Sequence, residues 1–462
     1  MARGKKKESA LTPEEKLAQA LVPVEEQPYP VPGNWQYVYL QNIATRIKRG
    51  KAPKYVERSD YPVFAQKCNQ KDGTISIEKA QFLNPVMVEK IADGEFLQDK
   101  DIIINSTGTG TLGRVGFYKA EYAIPYKHVL PDSHITVVRA SKGVYPQYLY
   151  FFLKQAQEYL ELQGVGSTNQ KELRPEIIGA LSFPLPPAAE QQRIVDRIEY
   201  LFAKLDEAKE KAQSVLDSFE ARKAAILHKA FTGELTAKWR AEHGVGLDTW
   251  KHHAFRELCT NIVRGGSPRP AGSPEFYDGP IPFMKVADIT RNNSPYVSSA
   301  EYSIKEAGLK KTRMVSANTL LLTNSGATLG VPAICTFETT FNDGIAAFLG
   351  IPEDTLLFYY YFWASKTSDL RAINKGAAQP NLNTTIIGDV EIDVPSDPEK
   401  HEIVRILESL FMKEEQAKEA AEAVLEKIDL LKKSILARAF RGELGTNDPS
   451  EESALELLKT IL

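Results

Sequence analysis

Five cations, Arg46, Lys48, Arg49, Lys51 and Lys54, crowd around Gly50 and Pro53 in one short segment. A turn of that composition brings positive charge and backbone amides to one place, the chemistry of a nucleic-acid phosphate contact. A thinner counterpart lies far downstream, where Arg264 and Arg269 flank Gly265 and Gly266. Two polar stretches follow the same pairing: Asn105 to Gly113, with Thr107 and the adjoining Arg114, and Thr323 to Gly330, with Asn324 and Ser325. Their amides and hydroxyls match the donors and acceptors of base edges. A third pair of segments, Gly166 to Lys171 and Gly376 to Asn383, supplies Asn169, Gln170, Gln379, Asn381 and Asn383, suited to bidentate contact with adenine. Lys171 and, just beyond, Arg174 are suited to phosphate or guanine, and Lys375 beside the second segment is a further candidate for DNA contact. Each stretch alone reads as an ordinary turn or a solvated basic loop; recurrence at equivalent positions is what points to nucleic acid.

Catalytic chemistry is not legible. The chain has no G-x-x-x-x-G-K-[ST] phosphate loop, no H-E-x-x-H and no G-x-S-x-G elbow. Asn84-Pro85-Val86 lacks the second proline and the aromatic residue that an adenine methyltransferase carries there. His252 and His253 are neighbours, which point apart on a strand or helix, so they read as surface residues rather than a metal pair. Cys68, Cys259 and Cys335 stand far apart with no C-x-x-C pair, which leaves buried thiols as the expectation. The reading is a non-catalytic chain with no metal site and no cofactor of its own.

At 462 residues the chain exceeds a single core, and 43% hydrophobic with 25% charged residues is globular usage. No apolar run reaches the roughly 18 residues of a membrane span, and the basic start, Met1 to Lys7, is not followed by an apolar signal region, so a cytoplasmic protein is expected. The net charge of -3 hides a separation. Residues 34–183 carry about 19 basic against 15 acidic side chains, and residues 393–462 about 10 against 16.

The elements that position these residues come from a duplication. Ile194 to Leu235 aligns without a gap on Ile403 to Leu444, with roughly half the positions identical. Upstream of each copy lies a divergent region with strand-like runs at Asp101 to Asn105, Ile135 to Arg139 and Thr319 to Thr323. Scattered matches link the two regions: Trp35 with Trp250, IKRGKAP at Ile47 to Pro53 with IVRGGSP at Ile262 to Pro268, and TLG at Thr111 to Gly113 with Thr328 to Gly330. The duplicated copies read as long helices. Their seams run through Ile194, Ile198, Leu201, Leu205, Ala208, Ala212, Val215, Phe219 and Ile226, and through Ile403, Leu407, Leu410, Ala417, Ala421, Val424, Ile428, Leu431 and Ile435. Arg222 and Glu414 interrupt these seams, and an antiparallel register that pairs them also sets Val215 against Ala421 and Leu205 against Leu431. Gly233 and Gly442 suit the left-handed position after each helix.

Pro184 to Val195 (PLPPAAEQQRIV), Ile226 to Thr236 (ILHKAFTGELT) with its echo ILARAFRGEL, the Trp35 and Trp250 openings, and Leu11 to Pro32 make the sequence similar to the specificity subunit of type I restriction-modification systems. Asp393 to Pro398 departs from the proline-rich entry to the helix. The resemblance implies a duplicated α/β (α+β) fold: two globular target recognition domains joined by two long antiparallel helices in an intramolecular coiled coil. The expected organisation is an N-terminal arm (1–33), a first recognition domain (34–183), a central helix (184–235), a linker (236–249), a second domain (250–392), a second helix (393–445) and a tail (446–462). It further implies double-stranded DNA as ligand, each domain reading half of a bipartite target. The implied partners are two modification subunits carrying S-adenosylmethionine and the methylation chemistry, and restriction subunits using ATP and Mg. The competing reading is a coiled-coil scaffold with DNA-binding domains outside a restriction system.

Overall fold

Each globular domain is opened and closed by one antiparallel strand pair. In the first unit, Met1–Lys211 with Val424–Leu462, the Gln36–Tyr39 strand pairs with Ser182–Leu185. In the second unit, Ala212–Ala423, Lys251–Ala254 pairs with Glu391–Val394. The opening strand needs the closing one to satisfy its backbone groups, and the closing strands end at Leu185 and Val394. The structure is a computed structural model and describes residues 11–71, 73–166, 171–292, 294–326, 328–373 and 381–462.

Between these brackets the described residues of each domain form two sheets. The first has an antiparallel sheet in the order Ala44–Arg49, Ile135–Ala140, Ile102–Asn105, Val115–Phe117, and a smaller sheet ending in the parallel pair Pro62–Phe64 and Leu130–Pro131. The second repeats the arrangement as Asn261–Arg264, Ile345–Leu349, Thr319–Thr323, Pro332–Cys335, with Tyr296–Val297 added at the edge. Successive strand residues face opposite ways. Ile102 and Ile104 accordingly join the core under the helices while Ile103 joins Phe64 and Val137 on the other face. Leu320 and Leu322 divide from Leu321 in the same manner. All are fully buried, and truncating one to Ala costs about 2–5 kcal/mol.

The first long helix is interrupted: Ala188–Asp217 is followed by Phe219–Phe231. At that turn Ser218 Oγ donates to Ser214 O at 2.5 Å beside its own N–H (3.1 Å), and the Arg222 side chain takes Val215 O at 3.1 Å through Nη2. The second, Asp397–Ala439, is continuous. Gly233 (φ 79) and Gly442 (φ 73) lie just beyond the last helical residues in the left-handed region, as their positions suggest. Within the second unit Arg222 Nε meets Glu414 Oε2 at 2.7 Å, and Phe219 lies by Lys418 while Leu227 shares a core with Ile403 and Leu407. Within the first, Ile194 and Ile198 pack with Leu436 and Ala439, and Asp206 bonds Lys432 at 2.6 Å. In each unit the helical segments run antiparallel.

The second seam needs correction. Ala417 is exposed, and Val424 and Leu431 are 40% and 47% exposed. Lys418 and Lys432 turn inward instead, each laying its ammonium 5.2 Å from a ring centroid, Phe219 and Phe202 respectively. A lysine stem is four methylenes long and packs as apolar surface, which a pattern of apolar residue types does not register.

Both tryptophan openings are anchored to the helices by a buried carboxylate. Trp35 Nε1 donates to Glu190 Oε2 at 2.7 Å, and Trp250 Nε1 to Glu399 Oε2 at 3.0 Å. The two glutamates are equivalent in the repeat and sit in first helical turns, where the helix dipole favours negative charge. Thr236 and Arg240 complete the Glu399 site at 2.7 Å each; Asn447 (2.9 Å) and Thr446 (3.3 Å) complete that of Glu190. The expected linker is thus folded, with a helix at Ala237–His243, and the arm and tail form helices Pro13–Ala20 and Ala454–Ile461 that bury Ala20, Ala454 and Leu458. Among the described residues no helix is long and apolar enough to cross a membrane.

Candidate nucleic-acid interface

The basic cluster divides on folding. Arg46 reaches back to Gly94 O (2.8 Å) and Glu95 Oε2 (2.9 Å), and its hydrogen bond holds the Glu95 carboxyl below the ordinary carboxylate range. Arg49 pairs with Glu172 and donates to Leu173 O at 3.0 Å, and burial lowers its pKa. These two guanidinium groups are spent on the fold. Lys48, Lys51 and Lys54 remain exposed, Lys51 lying 4.0 Å from Glu95. The turn amides are also spent: Gly50 N–H donates to Ile135 O at 2.9 Å and Lys51 N–H to Pro131 O at 3.1 Å. A Cβ at position 50 would fall onto the carbonyl oxygens of Pro131 and Asp132, so glycine is required by close packing rather than by a phosphate. In the second domain Gly265 and Gly266 donate likewise to Ile345 O (3.0 Å) and Phe341 O (3.1 Å). Arg264 Nε bonds Asp343 O at 2.6 Å, while Arg269 is exposed.

Several polar residues expected at base edges face inward. Asn105 is fully buried, accepting from Asn69 Nδ2 at 3.1 Å. Arg114 donates to Asn69 O at 2.7 Å. Asn383 caps the Thr384–Gly388 helix, its Oδ1 accepting from Ile386 N–H at 2.8 Å. Asn324 is buried, and neither amide atom has a hydrogen-bond partner among the described residues. Lys171, Arg174 and Asn381 are exposed, and Ser325 is half-buried, paired in backbone with Asn381. Asn169, Gln170, Lys375 and Gln379 lie outside the described residues.

What the fold does bring together is a ring of loops at one end of each sheet pair, and matching backbone hydrogen bonds equate the two rings. Ser106 N–H donates to His134 O (2.8 Å) as Asn324 N–H does to Gly344 O (2.9 Å). Leu173 N–H donates to Ser106 O as Leu382 N–H does to Asn324 O, and Asp132 N–H to Phe64 O as Asn342 N–H does to Met284 O. Thr107 and Ser325 are thereby equivalent, as are His134 and Gly344, and Gln66 and Val286. In the first ring Thr107 Oγ1 bonds His134 Nδ1 at 2.8 Å and takes Gln66 Nε2 as a second partner. In the second, a Cβ on Gly344 would meet Val286 and Ser325. Burial pushes the adjacent Asp132 carboxyl up. Sequence reasoning passed over Gln66 and His134; the one available signal was the match of Asp132-Ser133-His134 with Asn342-Asp343-Gly344 before equivalent strands.

A family model described as type I restriction modification DNA specificity domain matches residues 32–216 and again 248–426. The chain is 22% identical over 434 residues to the specificity subunit of the type I restriction enzyme EcoKI of Escherichia coli (strain K12), covering 90% of each chain. It is 32% identical over 174 residues to the MjaIX specificity subunit of Methanocaldococcus jannaschii, 36% of this chain and 39% of the relative. The crystal structure of the HsdS subunit from Thermoanaerobacter tengcongensis has the same fold, with a TM-score of 0.64 at 18% identity over 91% of this chain and 100% of that one.

Proposed function

The chain belongs to the type I restriction-modification DNA specificity family, and we propose that it is the DNA-reading subunit of such a system, each recognition domain reading one half of a bipartite double-stranded target. The helices set the distance between half-sites and dock two modification subunits, with restriction subunits joining the complex. Methylation with S-adenosylmethionine and the ATP- and Mg-dependent work are assigned to those partners, and this chain is non-catalytic. The observation that carries the reading is the pair of loop rings: one backbone scaffold holds Gln66, Thr107 and His134 in the first domain and Val286, Ser325 and Gly344 in the second. Identical scaffolds with unlike side chains are what two readers of unlike half-sites require. Half-sites presented by one protein also demand a fixed separation, since DNA presents the same groove face once per helical turn. Mapping methylated bases in a host that carries the chain with its modification subunits tests this: the expected result is a two-part sequence with a gap of constant length, and a single uninterrupted site counts against it.

A further inference from the structure

We infer that His134, oriented by Thr107 and Gln66, reads a base of the first half-site by donating a hydrogen bond to an acceptor on that base's major-groove edge. The inference rests on the DNA-recognition reading above and deepens it by naming the residue and the polarity of the contact.

Thr107 Oγ1 carries a single proton and two hydrogen-bond partners, Gln66 Nε2 and His134 Nδ1. An amide nitrogen can only donate, so Gln66 gives its proton to the hydroxyl oxygen. Among the described residues no other acceptor takes the Thr107 proton, so it goes to His134 Nδ1, which accepts. A neutral imidazole whose Nδ1 accepts carries its own proton on Nε2. The His134 side chain is exposed, so this N–H is offered to a ligand rather than to the protein interior. A fixed donor of this kind selects guanine O6 or N7, adenine N7 or thymine O4, and rejects the amino edge of cytosine.

Three loops distant in sequence supply the triad, tied to one another by Ser106 N–H to His134 O (2.8 Å) and Asp132 N–H to Phe64 O (3.0 Å), and within one loop by His134 N–H to the side-chain Oδ1 of Asp132 (2.9 Å). The ring is therefore built to hold an imidazole in one orientation. Exposed Lys67 adjoins Gln66 in sequence, and exposed Lys171 precedes Glu172, whose backbone pairs with Thr107, giving the surroundings cations suited to a DNA edge. At the equivalent point of the second domain Gly344 has no side chain, flanked by Val286 and Ser325, so this donor belongs to one half-site only.

The test uses the chain in complex with its modification subunits, on duplexes carrying its mapped target and every single-base change in each half. His134→Ala removes an exposed side chain and leaves the fold intact, as an unchanged melting profile verifies. The expected outcome is loss of about 2- to 13-fold discrimination at one position of one half-site, the worth of a single hydrogen bond, with the other half and the salt dependence of binding unchanged. Thr107→Val is expected to weaken discrimination at that same position and Thr107→Ser to restore it, because only the hydroxyl fixes the tautomer. Undiminished discrimination in His134→Ala, beside a parent that selects its target, overturns the inference and leaves the DNA-recognition reading standing. Uniform weakening on all sequences with a shallower salt slope overturns it as well, since that is the behaviour of a phosphate contact. A parent complex with no target selectivity removes the broader reading and the inference together.

Discussion

Glu190 and Glu399 occupy the same place in the repeat, are equally buried and receive the same tryptophan N–H, yet their remaining partners differ in kind. Glu399 holds a guanidinium, Arg240, in a pair whose side chains are 1% and 9% exposed. Glu190 is bonded by neutral groups, Asn447 and Thr446, while the cation on its own helix, Arg193, is taken by Glu451 at 2.7 Å. The anchor thus needs a buried acceptor at the start of the helix, and the donors come from whichever segment follows a long helix. In the second unit that segment is residues 236–240; in the first it is the tail.

The largest expected effect follows from the charge. Arg240→Met strands a buried carboxylate, and a loss of about 3–5 kcal/mol of stability is expected in chemical denaturation. Adding Glu399→Gln should recover part of it; a cost below about 1 kcal/mol for Arg240→Met would erase the distinction between the two anchors. Asn447→Ala removes one neutral donor to a carboxylate and should cost about 1.5–3 kcal/mol. If the two substitutions cost the same, the contrast between them carries no energy.

Smaller still is the Arg222–Glu414 layer, whose side chains are 33% and 20% exposed. A double-mutant cycle with alanine is expected to give a coupling of about 0.2–1 kcal/mol, and zero coupling would deny the pair a part in setting register. The basic turn offers the finest test between the domains. Lys51→Ala with Lys54→Ala should reduce the slope of log affinity against log salt by up to about two units, because both ammonium groups are exposed. Arg49→Ala should lower stability instead, since its guanidinium is committed to Glu172 and Leu173 O. A slope unchanged by the two lysine substitutions would place the turn away from the duplex.

The sequence made legible whatever was local or repeated. The branched run Thr319 to Thr323 is a strand as expected, the IKRGKAP and IVRGGSP segments are equivalent strand ends, and Arg222 meets Glu414. What escaped was set by partners remote in the chain. Nothing near Arg46 or Arg49 announces Glu95 or Glu172, and a cation with a hidden partner looks identical to a free one. Gln66, Thr107 and His134 meet only once two sheets are assembled. Lys418 and Lys432 escaped because residue type alone conceals where a long stem packs.

The central claim is that each domain reads its own half of the target. Replacing residues 34–185 by the corresponding domain of a relative with a different specificity, and mapping methylated bases genome-wide in a host expressing the hybrid with its modification subunits, tests it directly. The account predicts that one half of the methylated sequence changes to that of the donor while the other half and the gap length stay as they were; a change in both halves would contradict it.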